Sequence, residues 1–445
     1  METINGFPFV RLHFDADGKP IDQQEETDLK GAAANATDVI LIAHGFRNDE
    51  ADATSLYEKF LGNLRLHISG SLANQLGLRR FVVGGIFWPS KKFDEDVKFE
   101  GATAALDAEP AEKEEVRAKL DDLEKTVACP EQKPRIAEAK KLLDSVKGNP
   151  EAQNRFVENV LSLLDDDELG DTEGVEEIRS TSGSALLNKL NIPPGNPVGL
   201  AVSDDGGVPA VDQIAAPVSD EGGAEGLADM AGSIFGKIGT FLNLTTWYTM
   251  KNRSGVVGAN GVEKIVRALK SDSDVRVHLV GHSLGGRMMA SCSKALSQNP
   301  LVQPDSVSLL EAAFSHFGFS SDNGEGKTGF FVDVIKKKVV KGPFVATFSA
   351  HDSVVGKAYA VVSRLADDNV EAIGDKNDPF GGIGHNGAQR TAEAIFDKLH
   401  DAGTAYQFQT GKLLNLDGSG GLIMDHGDVT NPAVTYAVAA AIAAT

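Results

Sequence analysis

Cysteine is nearly absent from this chain of 445 residues, which contains only Cys129 and Cys292. Two cysteines are too few for a disulfide-stapled fold or for a metal site built from thiolates alone. Long apolar runs are also missing: the longest candidate, AVTYAVAAAIAA near the C-terminus, is shorter than the roughly 20 residues that cross a bilayer. The first residues lack the basic and apolar regions of a signal peptide. We therefore expect a cytoplasmic protein without an integral membrane segment.

Positive charge is scarce as well. The 43 lysines and arginines face 64 aspartates and glutamates, which gives a formal net charge of −21 with neutral histidines. Such a chain repels phosphate backbones, so we expect no nucleic-acid partner. The motifs HExxH, CxxC and GxxxxGK[ST] do not occur, and we expect neither a metal nor another cofactor. With 41% hydrophobic and 24% charged residues, the composition is typical of a folded globular protein.

Four apolar runs predict buried strands of an α/β fold, in which helices flank a mostly parallel central sheet. These runs are VILIA (39–43), FVVGGIFW (81–88), VRVHLVG (275–281) and PFVATFSA (343–350). The segments between them carry apolar side chains at helical spacing. Further predictions are an opening hairpin with a turn at DADG, a strand in 305–314, a helix over 388–401, a strand over 412–416 and a C-terminal helix.

A section of different composition interrupts this pattern. We expect it to be a helical insertion over 92–250 in a domain formed by 1–91 and 251–445. Apolar residues at spacings of three and four predict two antiparallel helices over 105–165, an arm or cap as plausibly as a surface insertion that packs on itself. The glycine- and proline-rich segment 191–226 predicts a mobile loop.

One helix of the insertion, predicted over 227–244, has an apolar face that includes Phe235, Ile238, Phe241 and Leu242. Three glycines weaken this helix, which suits a segment that moves. A lid over an apolar pocket and ordinary core packing are both compatible with the pattern.

The most informative motif is Val-Gly-His-Ser-Leu-Gly-Gly at 280–286, between a predicted strand and a predicted helix. A G-x-S-x-G sequence in this setting is typical of a nucleophile elbow, a tight turn that presents the serine at a helix N-terminus. Gly281 and Gly285 suit such a turn because larger side chains there would collide with neighbouring backbone. Ser283 is therefore the candidate nucleophile, and His282 precedes it as a supporting residue.

With this motif the chain resembles the serine esterase and lipase branch of the α/β-hydrolase superfamily, over about 1–90 and 255–445. The resemblance implies an α/β-hydrolase fold and a triad in the order Ser, Asp, His. Asp352, which follows PFVATFSA, matches the family acid, and His426, which precedes the last helix, matches the family histidine. In such a triad His426 accepts the proton of Ser283 and Asp352 fixes the tautomer of the imidazole.

Each of these assignments has a competitor. Glu311 ends the preceding predicted strand, where some members of the family carry their acid, and it is equally compatible with a buried structural glutamate. His385, in GGIGHNG, lies in a loop near the expected site, and His351 adjoins Asp352. Neither histidine lies in a strand-loop-helix pattern that would place it as the base, so we favour His426.

A second part of the resemblance is His44-Gly45-Phe46, directly after the first buried strand, which matches the family's HG oxyanion loop. The backbone N–H groups of Phe46 and Leu284 would then hold the oxyanion of a tetrahedral intermediate. His44 itself is expected to brace the loop.

The resemblance implies hydrolysis of a small-molecule or lipid-like carboxylic ester through an acyl-enzyme. An apolar lid would favour long acyl chains, while thioesterases and peptidases use the same triad. The alternative is a catalytically silent scaffold or binding protein in which the helical insertion contacts a partner. Reactivity of Ser283 distinguishes the two hypotheses, and the sequence predicts no oligomeric state.

Overall fold

A nine-stranded sheet forms the centre of the computed structural model, which describes residues 2–90, 108–126, 131–164, 168–190, 233–366 and 376–445. The strands are β1 (Glu2–Ile4), β2 (Phe7–His13), β3 (Asp38–Ala43), β4 (Phe81–Phe87), β5 (Arg276–His282), β6 (Ser306–Leu310), β7 (Phe344–Phe348), β8 (Ala394–Lys398) and β9 (Leu413–Asp417). Their order across the sheet is β1-β2-β4-β3-β5-β6-β7-β9-β8. Only β1 and β2 pair antiparallel, so the predicted α/β class with a mostly parallel sheet is confirmed.

Helices lie in most of the connections between the parallel strands, as is usual for parallel pairing. They are α1 (Gln23–Ala33), α2 (Glu50–Ser69), α3 (Ala73–Leu76), α4 (Ala108–Thr126), α5 (Lys133–Leu142), α6 (Pro150–Leu161), α7 (Val175–Ser180), α8 (Gly183–Lys189), α9 (Ile234–Val257), α10 (Glu263–Asp272), α11 (Leu284–Leu296), α12 (Val332–Lys336), α13 (Ser353–Ala366), α14 (Ile383–Asn386) and α15 (Pro432–Ala443). A 3₁₀ turn (Asp171–Glu173) precedes α7, and a π-helical turn (Gly258–Val262) joins α9 to α10.

Two hydrophobic cores lie against the sheet. The smaller one contains apolar side chains of α2 and α15, such as Leu64 and Val438. The larger one contains side chains of α11, such as Met288, together with Phe156 of α6 and Phe241 of α9. The helices predicted as an insertion therefore share one continuous core with the sheet.

The predicted turn at DADG exists, but the hairpin that opens the sheet turns earlier in the chain. Asn5 and Gly6, both with positive φ, form the turn between β1 and β2. Two consecutive residues with positive φ are what a tight hairpin turn needs. The segment DADG follows β2 instead, where Gly18 has a φ of +75° and Phe14 pairs with Pro20 across a second, short turn.

The helix predicted over 388–401 is wrong, because part of this segment is the edge strand β8. Its residues pair in parallel with β9, with Ile395 opposite Leu414 and Asp397 opposite Leu416. The apolar residues of AEAIFDKL are spaced in a way that fits either a helix or a half-exposed strand. Pairing with β9 makes the segment a strand.

The predicted insertion is helical wherever the structure describes long segments of it. Two helices were predicted over 105–165, but the structure has three, α4, α5 and α6. The second break falls between Leu142, where α5 ends, and Asn149, whose side chain accepts a 3.2 Å hydrogen bond from the Ala152 N–H and caps α6. The loop predicted over 191–226 lies outside the described residues, as do residues 227–232 of the predicted lid helix.

Helix α9 runs without interruption through residue 250, where we expected the boundary between insertion and sheet domain. The four residues of its apolar face, Phe235, Ile238, Phe241 and Leu242, are all buried in the larger core. This packing favours the core interpretation of the helix over the lid interpretation.

A buried polar chain crosses three strands at the edge of the sheet where their N-terminal ends lie. Ser306 Oγ lies 2.8 Å from His278 Nδ1, and His278 Nε2 lies 2.9 Å from Asp38 Oδ1. Asp38 also accepts a 2.9 Å hydrogen bond from Arg79 Nε. Burial disfavours the Asp38 carboxylate, but the bonds from Arg79 and His278 outweigh it and lower its pKa well below the ordinary value.

This chain yields a stability prediction. Asp38→Asn should lower the free energy of unfolding at pH 7 by about 3 kcal/mol, because it leaves Arg79 without its buried counter-charge. The folded-state pKa of Asp38 is depressed, so its contribution is present above the ordinary pKa and is lost as the pH falls through the lower folded value. Denaturant titrations at pH 7 and pH 3 should show a smaller difference between variant and wild type at pH 3.

Asp17→Asn is the matched control, because Asp17 is exposed and forms an ion pair with the equally exposed Lys19. It should change stability by less than about 0.5 kcal/mol. An Asp38→Asn difference that is equal at both pH values would contradict the assigned charge state.

Candidate active site

Ser283, Asp352 and His426 all follow strands at the edge of the sheet where the C-terminal ends of its parallel strands lie. Ser283 comes directly after β5, Asp352 comes four residues after β7, and His426 lies in the loop between β9 and α15. Because β5, β6, β7 and β9 are consecutive and parallel, these loops emerge side by side. Ligand sites of open α/β sheets form at this edge.

Ser283 occupies a strained turn between β5 and α11. Its φ of 57° and ψ of −122° lie outside the regions that residues other than glycine adopt without strain. Hydrogen bonds hold this backbone from two sides: its N–H donates to Leu310 O at 3.0 Å, and its carbonyl accepts from Ala313 N at 3.0 Å. The side chain is 5% exposed. The serine is thus presented at the N-terminus of α11, as the motif predicts.

The two motif glycines are required by close backbone contacts, which confirms the steric expectation. A Cβ atom at Gly281 would lie 2.3 Å from Gly285 O, and one at Gly285 would lie 2.3 Å from Ala43 O. Any larger residue at either position would push α11 away from the sheet.

Asp352 and His426 form a hydrogen-bonded pair. His426 Nδ1 lies 2.9 Å from Asp352 Oδ2, and Asp352 Oδ1 accepts a 2.9 Å hydrogen bond from Val355 N. Asp352 is fully buried and His426 is 6% exposed. A carboxylate oxygen accepts hydrogen bonds, so Nδ1–H donates in this pair and Nε2 is the ring nitrogen left for other contacts.

His282 connects the nucleophile turn to the loop of His426. Its Nε2–H donates to the His426 carbonyl at 2.8 Å, and the two rings have centroids 4.7 Å apart. Burial, followed by the proximity of His426, lowers the pKa of His282 to about 3, so this ring is neutral at physiological pH. His282, the residue before Ser283, thus contacts the His426 loop, but Ser283 Oγ and His426 Nε2 share no hydrogen bond within the described part of the chain.

The loop after β3 packs directly on Ser283. A Cβ atom at Gly45 would lie 2.7 Å from Ser283 Cβ and 3.2 Å from its Oγ. Among the described residues, neither the Phe46 N–H nor the Leu284 N–H has a hydrogen-bond partner. Two unpartnered backbone donors beside the serine are the arrangement that stabilises an oxyanion.

His44 braces this loop, as expected. Its N–H donates to Tyr57 Oη at 3.1 Å, its carbonyl accepts from Trp88 Nε1 at 3.2 Å, and its ring stacks on the Trp88 ring with centroids 5.8 Å apart. Its Nδ1–H donates to the Gly45 carbonyl at 3.0 Å. Burial lowers the pKa of His44 to about 4, so it is a neutral structural ring.

The competing site residues make other contacts. Glu311 accepts a 2.8 Å hydrogen bond from Thr347 Oγ1, not from a histidine. Burial, with a further contribution from the charge of Asp352, raises its pKa well above the ordinary value, which favours the neutral acid. His385 Nδ1 lies 2.9 Å from the Asp352 carbonyl, and His351 Nε2 lies 3.1 Å from the Ser419 carbonyl. Of the three histidines considered, only His426 contacts the Asp352 carboxylate.

Two serines that the sequence did not single out hold the histidine loop. Ser349 Oγ–H donates to the Ile423 carbonyl at 2.8 Å, and Ser419 Oγ accepts from Ala350 N at 2.8 Å. Both contacts join the β7 end to the segment before His426. Their sequence signal is weak, since serine is common in loops of every kind.

A cavity of about 470 Å³ lies elsewhere, in the insertion, between α6 and residues 179–183. None of the predicted site residues lines it. In the described residues, no three His, Cys, Asp or Glu side chains form a cluster that could hold a metal ion, and no helix is both long and apolar enough to cross a membrane.

Known proteins do not indicate a function for this chain, so the proposed function rests on the geometry of the candidate site. No protein-family model, no curated protein and no solved structure matches this chain. Chemically, the site combines a serine in a strained turn, a carboxylate-oriented imidazole and two free N–H groups, and these are the parts required for acyl transfer.

Substitutions of Asp352 and Glu311 test which of these two residues is the acid of the site. Asp352→Asn should slow the reaction of Ser283 with a fluorophosphonate by about 10,000-fold, because it removes the acceptor that fixes the His426 tautomer. Glu311→Gln replaces the acid, whose neutral form burial favours, by a neutral amide of equal size and should change the rate by less than about threefold, because Glu311 bonds Thr347 and not His426. The rates are measured by mass spectrometry of the labelled protein. The reverse ranking would make Glu311 the acid.

The close approach of Gly45 gives a second prediction. Gly45→Ala should slow the same labelling reaction at least about tenfold, since the added methyl group displaces the loop that carries the Phe46 N–H. Gly31→Ala is the matched control, because a Cβ atom there meets nothing within 4 Å. An unchanged rate in Gly45→Ala would remove Phe46 from the oxyanion site.

Proposed function

We propose that this protein is a serine hydrolase with an α/β-hydrolase fold, and that it cleaves carboxylic esters through an acyl-enzyme. The observation that carries the proposal is the convergence of strained Ser283, the Asp352–His426 pair and the Gly45 loop at one edge of the sheet. The sheet order and the Ser, Asp, His order along the chain support the resemblance on which the fold assignment rests.

In the first half-reaction, Ser283 Oγ attacks the ester carbonyl while its proton passes to His426 Nε2. Asp352 stabilises the resulting imidazolium through the Nδ1–H bond. The oxyanion forms within reach of the Phe46 and Leu284 N–H groups, which are already in place and need no reorganisation. His426 then returns the proton to the leaving alkoxide, and the acyl group stays on Ser283.

In the second half-reaction, water replaces the alcohol. His426 removes a proton from the water as it attacks the acyl-enzyme, and the same two N–H groups hold the second oxyanion. Collapse of the intermediate returns the proton to Ser283 Oγ and releases the carboxylic acid. The buried position of Asp352 strengthens its interaction with the imidazolium, because the surrounding dielectric is low.

The packing of α9 bears on the acyl chain length of the proposed substrate. A lipid-like substrate was expected from a lid with Phe235, Ile238, Phe241 and Leu242, but these side chains are buried in the core. The preference for long acyl chains therefore loses its support in α9. Short and long esters are equal candidates for the first assay.

The alternative, a silent scaffold that binds a partner through its insertion, is compatible with one observation and favoured by a second. Ser283 and His426 share no hydrogen bond in the described structure, and the insertion carries the 470 Å³ cavity lined by Val157, Leu161 and Arg179 among others. Catalytic hydrogen bonds are often long in the absence of substrate, so the first observation is compatible with both functions.

Labelling by a fluorophosphonate decides between them. Wild-type protein should be labelled at neutral pH, and Ser283→Ala should abolish labelling, because only an activated serine reacts. Ser306→Ala is the matched control: Ser306 also belongs to a Ser–His–Asp chain, but it is buried and distant from the oxyanion loop, so this variant should label like wild type. A series of p-nitrophenyl esters then gives the acyl preference. Folded wild type that stays unlabelled would support the scaffold.

A further inference from the structure

Glu173, in the 3₁₀ turn before α7, is a buried acid surrounded by donors from four parts of the fold. Its Oε2 accepts from Lys251 Nζ and, at 2.6 Å, from Tyr359 Oη. Its Oε1 accepts from the Ser315 N–H at 3.1 Å and pairs with Arg287 Nη1 at 3.4 Å. The acid is 2% exposed. One carboxylate therefore contacts α9, α11, α13 and the loop after β6.

Two of these donors lie on the helices that follow the proposed catalytic residues. Arg287 is one turn from Ser283, and its N–H donates to the Ser283 carbonyl at 3.2 Å. Tyr359 lies on α13, which begins directly after Asp352. Movement of α11 relative to α13 would thus break a bond to Glu173 and would change the separation of Ser283 and Asp352.

The third contact reaches the nucleophile from the other side. Ser315 lies two residues beyond Ala313, whose N–H donates to the Ser283 carbonyl. The backbone that holds the strained turn is therefore itself held by Glu173 Oε1. Lys251 completes the cluster: its Nζ also donates to Tyr359 Oη, and it lies 4.2 Å from the centre of the Trp247 ring.

The charges of this cluster are costly to bury. Burial lowers the pKa of Lys251 to about 7, with Glu173 opposing and Arg287 adding to the shift. Burial also opposes ionisation of Glu173, but the positive charges of Lys251 and Arg287 outweigh it and lower its pKa. Apolar side chains of similar volume often match or exceed the stability of such a cluster, so stability alone does not account for it.

We infer that Glu173 is a positioning residue for the proposed active site, and that it sets the distance between Ser283 and the Asp352–His426 pair. This inference rests on the proposed function. Directional bonds from one carboxylate fix the helices relative to each other more narrowly than apolar packing does. Misplacement of reacting groups by about 1 Å can cost about 100-fold in rate, so small shifts of α11 or α13 matter.

Two conservative variants of the full-length protein test the inference. Tyr359→Phe removes one hydrogen bond to the Glu173 carboxylate. Tyr248→Phe is the matched control, because Tyr248 Oη is equally buried and donates at 2.7 Å to the Glu173 backbone carbonyl instead. Both variants are expected to lose similar stability in thermal melts. Fluorophosphonate labelling should slow at least about fivefold in Tyr359→Phe and less than about twofold in Tyr248→Phe.

A triple variant separates positioning from stability. Replacement of Glu173, Lys251 and Arg287 by methionine removes the buried charges together, so no unpaired charge remains and the variant should fold, with a lower melting temperature because the carbonyls of Glu168 and Lys251 lose Arg287 as donor. Its labelling rate should fall at least about tenfold. A folded triple variant that labels at the wild-type rate would overturn the inference, as would a wild-type labelling rate in Tyr359→Phe. If the triple variant does not fold, the tyrosine pair still decides.

The ester assay adds a second readout. A positioning role predicts a lower kcat with little change in KM for Tyr359→Phe, since the bond acts on the alignment of reacting groups and not on substrate contacts. The controls also separate the two proposals. Wild type that is not labelled at Ser283 overturns the proposed function, whereas labelled wild type with unaffected Tyr359→Phe overturns the positioning role alone.

Discussion

The contact between Gly285 and the end of β3 determines how the candidate site is arranged. Because no side chain separates the first turn of α11 from Ala43, the helix begins against the loop that follows β3, and Gly45 packs on Ser283. The conformation of Ser283 costs free energy, of the order of 1–3 kcal/mol for a residue in a sparsely populated region. It persists because β5, β6 and the loop after β6 fix the backbone on both sides of the turn.

The parts of the site that could be predicted from sequence are those set by local constraints. Apolar runs long enough for buried strands located β3, β4, β5 and β7 to within a residue or two at most ends. The glycines of the motif located the strained turn, because few other arrangements need glycine at both positions. Asp352 and His426 followed from strand order and resemblance, and the structure brings them to 2.9 Å.

The features that could not be predicted depend on neighbours distant in the chain. Segment 394–398 has a residue pattern that fits either helix or strand, and its pairing with β9 makes it a strand. Helix α9 has the composition of a moving lid, but the core formed by α4, α6 and α11 buries its apolar face. The raised pKa of Glu311 likewise follows from its burial and from the charge of Asp352, a residue 41 positions away in the chain.

The chain through Ser306, His278 and Asp38 shows why contact geometry alone does not identify a catalytic serine. It contains the same three residue types at hydrogen-bond distances, yet all three are buried at the opposite edge of the sheet. There the histidine joins β3 to β6, and no backbone turn presents the serine. What distinguishes Ser283, the proposed nucleophile, is its place at a helix N-terminus beside unpartnered N–H groups.

The buried networks around Asp38 and around Glu173 both contain charged side chains at positions where apolar side chains would fit, but they lie in different parts of the fold. The Asp38 network lies across the strands themselves, where backbone pairing already fixes positions, so its charges chiefly affect stability. The Glu173 network lies between helices, where apolar packing tolerates small sliding motions. Directional bonds have their largest effect in such a place. The insertion that supplies Glu173 therefore bears on the alignment of Ser283 with Asp352, although it contributes none of the three proposed catalytic side chains.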